Sequence, residues 1–399
     1  MSLLATVPPP GLAVLGPDLW MPGAPAPEHV SIRERIVHFF EAFPLLNIWI
    51  ILFFVLLFFA ILFWCFRRRR NKKRWYFWPL PLAVVVLVVA IGAGANWHMG
   101  YYANAGDLIG SHPFPTGSAQ LLAKPHGKFP RGVTVSALIP GTTSNVGSYP
   151  AYIWLPPQFF EAQQGERFPV VYLLAGSPGT PADWFIGGGA SESGLALAQA
   201  GKPSVIVSPS VGPTRLADTE CVNGAQGNWE TYLAVDVPEW VEKNPHLDSE
   251  ATFSGPTSNI AGLSMGGFCA QMLALRHPDR FTSSGNFSGS TAPDFKSMEE
   301  LFGPVPNLDA TVKSYDTKWI IQNKPDSRAV NTWLEIGSAD QQVLIDDQKS
   351  YVAAARALKM NAPFEETQGS HNFYVWCGCL QPWLNWAWDT SRDQQKAKN

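Results

Sequence analysis

Charged side chains are scarce in this chain of 399 residues, since Asp, Glu, Lys and Arg together make up only 15% of it. A soluble domain usually carries about a quarter. The low charge and the 13% of aromatic residues exclude an intrinsically disordered protein, because disordered chains are rich in charge and poor in aromatics. The length is sufficient for one large domain or for two of ordinary size.

Motifs that bind metals and phosphates are also missing. The chain contains no H-E-x-x-H and no paired C-x-x-C, so we expect no catalytic metal and no cofactor. The glycines at 187–189 lack the Lys and the Ser or Thr of a phosphate loop, and we interpret them as a flexible rim. Outside residues 67–74 acidic side chains outnumber basic ones, which argues against a nucleic-acid partner.

Two long uncharged runs predict a membrane hairpin. Residues 45–66 and residues 75–97 contain no charged side chain, and tryptophans stand near the ends of both runs. Roughly 20 apolar residues cross a hydrocarbon core of about 30 Å, and tryptophan favours the headgroup level. We therefore predict two transmembrane helices. The alternative is a pair of buried core helices, which seldom stay uncharged for so long.

The basic block between the two runs predicts their orientation. Residues 67–74 (RRRRNKKR) carry seven positive charges and no acid, and the next basic residue after the second run is Lys124. Short loops rich in Lys and Arg stay on the cytoplasmic side. We expect a multi-pass plasma-membrane protein whose N-terminal segment (1–44) and C-terminal two-thirds lie outside the cytoplasm.

Segment 1–44 has no positive n-region, so it does not resemble a cleaved signal peptide. Ser31 and Glu34 form an S-x-x-E capping box ahead of apolar residues at helical spacing. Two interpretations stay open for this stretch: a short interfacial helix, or a first turn that leads into the membrane helix.

The chain after the second run predicts a stalk, a folded domain and a tail. Residues 98–130 are punctuated by Gly and Pro and are expected to form a stalk, and the polar residues 389–399 a disordered tail. Between them, at 131–388, short β-branched runs alternate with helical stretches such as 229–243 and 265–277, which predicts a mainly parallel sheet with helices on both faces. The predicted strands are 133–139, 150–155, 169–174, 204–208, 258–263 and 332–336.

The sequence GLSMGG at 262–267 is the strongest candidate for a nucleophile. A G-x-S-x-G pattern is weak alone, but here an apolar strand precedes the serine and an apolar helical stretch follows it, as a nucleophile elbow requires. Ser264 is therefore the predicted nucleophile. The alternative is a serine in a structural turn.

A serine nucleophile needs a general base, which in this fold follows it in the chain. Two histidines follow Ser264. His371 lies in the loop-like stretch GSHN after a possible last strand at 364–367 and is the predicted base. His277 stands near the far end of the helix after the elbow, where we expect it to cap or decorate that end.

The acid that orients the base should follow strand 332–336, which points to Asp340 in GSAD. Glu335 lies inside that strand, where a structural role is more common. Asp346 and Asp347 begin the next helix, where they could act as caps or surface charges.

An oxyanion needs two backbone donors, one from the residue after the nucleophile and one from a loop after an early strand. Met265 provides the first by its position, and Ser177 in LLAGSPG the second. Gly176 permits the sharp turn, and Pro178 has no N–H. The alternative is a purely structural turn.

Four ordered segments resemble the esterase D group of α/β hydrolases, and within it the antigen 85 type mycolyltransferases. They are LLAGS (173–177), WETYL (229–233), GLSMGG (262–267) and the segment HNFYVW (371–376). The resemblance covers roughly residues 130–388 and implies a catalytic triad of Ser264, Asp340 and His371, with Ser177 and Met265 at the oxyanion hole.

The chain also departs from that family. Those transferases typically have Asp before the oxyanion-loop glycine, Arg shortly after it and Glu as the acid, whereas this chain has Ala175, Pro178 and Asp340. The departures weaken the expectation that trehalose is the acceptor and leave ester chemistry unaffected. The hairpin ahead of such a domain is similar to uncharacterised membrane esterases of mycolic-acid-making actinobacteria.

Four cysteines would face an oxidising compartment, which permits one or two disulfides. They are Cys221, Cys269, Cys377 and Cys379. Cys269 follows the elbow on an apolar helix, and we expect a buried free thiol there. Spacing alone leaves the pairing open.

The combined prediction is an α/β-hydrolase domain, anchored to the membrane by the hairpin, that acts as a serine esterase or acyltransferase on acyl-ester or lipid substrates. A mycolyltransferase acting on trehalose mycolates is the alternative within the same chemistry. A non-catalytic cell-envelope binding protein that kept the fold is the alternative from another class.

Overall fold

The computed structural model describes Phe39 and residues 42–71, 77–109, 116–162, 167–243 and 258–398. The chain divides into two compact units. One comprises the residues up to Pro113 together with Asn372–Tyr374, and the other comprises the rest. The predicted capping box at Ser31 and most of segment 1–44 lie outside the described residues, as do residues 72–74 of the basic block.

The first unit contains two long apolar helices, α1 (Ile48–Arg70) and α2 (Leu80–Met99), and the short α3 (Ala105–Ile109). The first two are long and apolar enough to cross a membrane. They contact each other, and the few buried side chains at this contact include Cys65 of α1 and Val86 of α2. Their other apolar side chains are mostly exposed or half-buried within the unit.

The ends of these helices differ from the predicted spans. Helix α1 runs on to Arg70, four residues into the basic block. Arginine is a good helix former, and a cation in the last turn interacts favourably with the helix dipole. Helix α2 starts only at Leu80, after Pro79, and ends at Met99. Gly100 caps it, with a φ of +67°, a left-handed conformation suited to glycine.

The second unit is built on a nine-stranded sheet. Its strands are β1 (Thr116–Ser118), β2 (Val133–Gly141), β3 (Gly147–Leu155), β4 (Val170–Leu174), β5 (Val205–Pro209), β8 (Ser258–Leu263), β9 (Phe281–Phe287), β10 (Asn331–Gly337) and β11 (Phe364–Thr367). Two short strands, β6 (Asn223–Gly224) and β7 (Gly227–Asn228), form a separate hairpin.

The spatial order of the large sheet is β1-β2-β3-β5-β4-β8-β9-β10-β11. β3 is antiparallel to both of its neighbours, and every other pairing is parallel. Every residue of β4 and β5 is buried, which requires cover on both faces of the sheet. This is the α/β-hydrolase fold, as predicted.

Helices connect the strands and cover the sheet. They are α4 (Gln120–Ala123), α5 (Asp183–Ile186), α6 (Ala190–Gln199), α7 (Trp229–Thr231), α8 (Val237–Glu242), α9 (Met265–Arg276), α10 (Met298–Phe302), α11 (Leu308–Tyr315), α12 (Thr317–Asn323), α13 (Gln342–Ala357) and α14 (Phe373–Lys398). Residues Tyr232–Asp236 form a π-helical turn between α7 and α8, and the segments Pro157–Phe160 and Pro325–Ala329 are 3₁₀-helical.

Strand β9 was not among the predicted strands, because its sequence FTSSGNF is mostly small and polar. All seven of its residues are buried. The Ser283 hydroxyl donates to the side-chain oxygen of Asn259 on β8, over 2.6 Å. A Cβ added to Gly285 would lie 2.7 Å from the indole nitrogen of Trp383. Small side chains thus allow the large indole to pack against the middle of the sheet.

Two predicted boundaries are wrong. Part of the predicted stalk belongs to the sheet, since β1 pairs in parallel with β2. Leu121 and Leu122 behind it are buried in the core. The predicted tail is helical as far as Lys398, because its polar sequence still has partners: the buried Ser391 hydroxyl donates to the side-chain oxygen of Asn259 over 3.0 Å.

The expectation of a free thiol at Cys269 is also wrong. Cys269 forms a disulfide with Cys221, with 5.5 Å between the two Cα atoms. The partners are 48 residues apart, and the loop after β5 brings Cys221 to α9. The described cysteines outside this bond are Cys65, Cys377 and Cys379.

Candidate active site

The turn between β8 and α9 holds Ser264 in an unusual conformation, with φ +54° and ψ −127°. Positive φ is rare for a residue with a side chain and is found at functional turns. The flanking glycines are required by close approach. A Cβ on Gly262 would lie 2.0 Å from the Gly266 carbonyl oxygen, and one on Gly266 would lie 2.4 Å from that of Leu174. This geometry is that of a nucleophile elbow.

The three residues predicted as a triad lie in one hydrogen-bonded row. The Oγ of Ser264 is 2.9 Å from Nε2 of His371. The Nδ1 of the same ring is 3.0 Å from Oδ2 of Asp340 and 3.2 Å from Oδ1. With the proton on Nδ1, His371 donates to the carboxylate and its Nε2 accepts from the serine hydroxyl. The row can therefore move the hydroxyl proton to the ring.

Each member of this row stands on a loop at the carboxyl end of a different strand. Ser264 follows β8, Asp340 follows β10, and His371 follows β11. Carboxyl ends of parallel strands meet at one edge of a sheet, so residues far apart in sequence come together there. The Asp340 N–H donates to the Gly337 carbonyl over 3.0 Å, which closes the turn after β10.

The environment of Asp340 keeps its side chain ionised. That side chain is fully buried. Burial alone would raise the pKa of this carboxyl group, but the hydrogen bond and charge of His371 and the Gln341 N–H, 2.7 Å away, hold the pKa below its usual value. His371 keeps 31% of its side-chain exposure, so the ring is open to a substrate.

The alternative acid and base have other partners. Glu335 accepts from the Trp333 indole N–H over 3.1 Å and from the Thr367 hydroxyl. Nε2 of His277 lies 3.0 Å from the Glu230 carboxylate. Neither is hydrogen-bonded to Ser264, and both serve packing between elements.

The two remaining acids hold surface elements. Asp347 accepts from the Thr291 N–H over 2.7 Å and from the Lys318 amine over 2.9 Å. Asp346 accepts from the Gln342 side-chain amide over 2.8 Å. The Asp347 contacts join α13 to Thr291 and to α12, and the Asp346 contact lies within α13.

The loop after β4 approaches the elbow closely. A Cβ added to Gly176 would lie 3.0 Å from Cβ of Ser264. The peptide bond between Ser177 and Pro178 is cis. In the described part of the chain, the Ser177 and Met265 N–H groups donate to no backbone carbonyl. Two such donors beside a nucleophilic oxygen suit an oxyanion.

Two anchors fix this loop at its far side. The Gly179 N–H donates to the Arg215 carbonyl over 2.8 Å. The Asp183 carboxylate accepts from the Thr180 N–H over 3.0 Å and from its hydroxyl over 2.8 Å. Sequence analysis missed Asp183; a carboxylate three residues after Thr180 is the one local signal that could have suggested this turn.

Trp376 packs against the histidine and was not assigned a role from the sequence. Its ring centroid is 4.9 Å from that of His371, with the ring planes nearly perpendicular. The signal was present in the H-x-aromatic-x-x-W spacing. The contact limits the ring's freedom to turn away from Ser264.

Two strongly exposed aliphatic side chains lie close in sequence to the site. Leu216, next to Arg215, is 74% exposed, and Val343, three residues after Asp340, is 70% exposed. The Arg215 carbonyl accepts from the Gly179 N–H, and the N–H of Gln341, two residues before Val343, donates to Asp340. No group of three or more His, Cys, Asp or Glu suited to a metal ion occurs among the described residues.

Comparison with known proteins finds similarity to esterases. The Esterase family model matches residues 144–390. An uncharacterized protein of Corynebacterium glutamicum is 26% identical over 272 residues, which cover 64% of this chain and 61% of that protein. An esterase of Mycobacterium tuberculosis is 32% identical over 179 residues, 43% of this chain and 35% of the esterase. The chain spans less than two thirds of either relative.

A shorter match joins the chain to the diacylglycerol acyltransferase/mycolyltransferase Ag85B of Mycolicibacterium smegmatis, with 42% identity over 66 residues, 16% of this chain and 18% of the enzyme. Among solved structures, a ferulic acid esterase aligns with a TM-score of 0.53 at 21% identity, over 65% of this chain and 97% of its own. A fluorophosphonate-binding serine hydrolase of Staphylococcus aureus gives 0.54 at 17% identity, over 66% and 99%. These two likenesses concern the fold.

Proposed function

Because the chain belongs to the Esterase family, we propose that it is a serine esterase or acyltransferase that acts on acyl esters. The observation that carries this proposal is the hydrogen-bonded row from Ser264 through His371 to Asp340, with contacts of 2.9 Å and 3.0 Å. A strained serine, a ring open to substrate and a buried carboxylate together serve nucleophilic catalysis.

The reaction starts when the Ser264 oxygen attacks the ester carbonyl while Nε2 of His371 takes the hydroxyl proton. Asp340 holds the ring through Nδ1 and stabilises the imidazolium. The developing oxyanion accepts from the Ser177 and Met265 N–H groups. His371 then gives the proton to the departing alkoxide, and the acyl group remains on Ser264.

Water or an alcohol completes the cycle by attacking the acyl-enzyme, with His371 again as base. Hydrolysis and transfer share every residue named so far and differ only in the acceptor. The matched segment of Ag85B supports transfer as a second outcome. Ala175 and Pro178, in place of the acid and the Arg of those transferases, weaken the case for trehalose. Products formed with water and trehalose as competing acceptors separate the two outcomes.

The proposal includes a location. Helices α1 and α2 are long and apolar enough to anchor the chain in a membrane. The basic residues 67–74 favour the cytoplasmic side, which puts the esterase unit outside the cytoplasm. Ester-bearing lipids of the envelope are then within reach.

Covalent labelling tests the enzyme proposal. A fluorophosphonate should form one adduct on Ser264 of the folded protein, and Ser264→Ala should abolish both the adduct and the turnover of p-nitrophenyl acetate. Serine triads lose several orders of magnitude when the nucleophile is removed. A loss below about tenfold would point to another nucleophile. A folded wild type that takes no label would favour the non-catalytic binding protein.

A further inference from the structure

The Cys221–Cys269 disulfide joins two segments that border the proposed active site. Cys269 lies in α9, five residues after Ser264, and Cys221 lies in the loop that leaves β5. Both side chains are fully buried. The bond is therefore part of the interior beneath the elbow.

The loop that ends at Cys221 is closed on itself by hydrogen bonds. The Thr219 hydroxyl donates to the Val211 carbonyl over 2.6 Å and accepts from the Cys221 N–H over 3.1 Å. The Ala217 N–H donates to the Thr214 carbonyl over 3.1 Å. Segment 211–221 is therefore held together by hydrogen bonds, and its end is fixed covalently to α9.

The same loop supports the proposed oxyanion loop. The Arg215 carbonyl accepts from the Gly179 N–H over 2.8 Å, two residues beyond Ser177. The Asp183 carboxylate holds the next residue, Thr180, from the other side. The loop thus joins Cys269, through the disulfide and the backbone between Cys221 and Arg215, to the segment that carries Ser177.

We propose that Cys221 and Cys269 are a positioning pair for the oxyanion hole. One donor, Met265, begins the helix that holds Cys269, and the other, Ser177, is braced by the loop that ends at Cys221. The disulfide fixes the spacing between these two elements. Oxyanion donors act at about 2.7–3.1 Å. A shift of a few tenths of an ångström therefore reduces the stabilisation of the transition state more than it reduces the affinity for the substrate. The proposal rests on the proposed esterase function.

The test compares an oxygen ester with its thiono analogue, whose C=S sulfur is a weaker hydrogen-bond acceptor and gains less from the oxyanion hole. In Cys221→Ala/Cys269→Ala we expect kcat for the oxygen ester to fall about tenfold or more, with KM within about twofold. The thiono ester should lose less, so the ratio of the two rates should shrink. A purely structural role lowers both rates by the same factor.

Two further variants complete the design. Cys377→Ala removes a half-buried thiol outside the bond and should leave the ratio at the wild-type value. Thr219→Val removes the hydroxyl that closes the loop and should also shrink the ratio of the two rates. This single variant tests the proposal independently of whether the double variant folds. Melting curves identify the folded variants.

The proposal is overturned if every folded variant, Thr219→Val included, keeps the wild-type kcat, or if both esters slow equally. A wild type that turns over neither ester would instead refute the esterase function itself. The two failures are therefore distinguishable from the same set of rates.

Discussion

The fully buried carboxylate of Asp340 lies 3.0 Å from Nδ1 of His371 and holds the ring whose other nitrogen meets Ser264. A second buried carboxylate, Glu335, lies five residues earlier in the chain, yet it is bonded to Trp333 and Thr367. Neighbouring acids thus have separate tasks, and this contrast provides a matched pair for mutation.

Asp340→Asn should lower kcat for p-nitrophenyl acetate by about a hundredfold or more, because the amide favours the wrong tautomer of the histidine. Glu335→Gln changes a buried carboxylate in the same way but touches no member of the row, so we expect a loss below about fivefold. Steady-state rates of the two purified variants decide the matter. If Glu335→Gln were the inactive one, the assignment of the acid would be wrong.

Glu230 should make stability depend on pH. Burial alone would raise the pKa of this carboxyl group, but hydrogen bonds and charges from His277, Arg276 and Tyr315 lower it from 4.5 to about 2. Because the pKa is depressed in the folded state, the stabilisation is complete above pH 4.5 and is lost as the pH falls toward 2. The difference corresponds to about 3 kcal/mol.

Urea unfolding of the wild type and of Glu230→Gln measures this effect. We expect the wild type to be the more stable at pH 7 and the gap to narrow by more than half at pH 3. Glu365→Gln is the control, since that side chain is exposed on the edge strand β11. A gap that stays constant between the two pH values would contradict the linkage.

Leu216 and Val343 should favour esters with long apolar chains. Both side chains are largely exposed, Leu216 on the loop that holds Gly179 and Val343 in the first turn of α13. Each buried CH₂ contributes about 0.8 kcal/mol. We expect Leu216→Ser and Val343→Ser each to lower the ratio of kcat/KM for p-nitrophenyl decanoate to that for the acetate by about threefold or more. Leu138, 67% exposed on β2, provides the control Leu138→Ser, which should keep the ratio. An unchanged ratio in both Leu216→Ser and Val343→Ser would exclude these side chains as determinants of acyl-chain length.

The proposed orientation predicts which added cysteines a membrane-impermeant maleimide can reach in intact cells. Lys124→Cys, at an exposed position, should react, and Asn71→Cys at the end of α1 should react only after the cells are permeabilised. The parent protein without either substitution sets the background. The reverse pattern would put the esterase unit in the cytoplasm.

The features that could be predicted from the sequence depend on local constraints. The elbow was recognisable because Gly262 and Gly266 flank the serine and a strand and a helix adjoin it. His371 and Asp340 were predicted from the chain order of the fold, and in the structure His371 lies 2.9 Å from Ser264 and 3.0 Å from Asp340. Strands β4 and β5 could also be predicted from their apolar runs, because a strand buried on both faces is apolar along almost its whole length.

The features that were missed depend on partners distant in the chain. Strand β9 is buried although it is polar, because Ser283 donates a hydrogen bond to Asn259 and the Trp383 indole packs against Gly285. The Cys221–Cys269 pairing spans 48 residues and is set by the course of a loop with no regular pattern. The helical end of α14 likewise has partners distant in the chain, since Ser391 donates to Asn259 and Gln394 to the Ala329 carbonyl.

The wide separation of the proposed triad residues along the chain has a consequence for folding. Ser264 and His371 are separated by 107 residues and belong to loops of β8 and β11, with two further strands between them. Contacts between residues so far apart in sequence form late in folding, after the intervening strands have paired. Partly folded molecules therefore contain the serine without its base. Esterase activity in a refolding experiment should appear only with the final native signal, which makes it a direct reporter of complete assembly of the sheet.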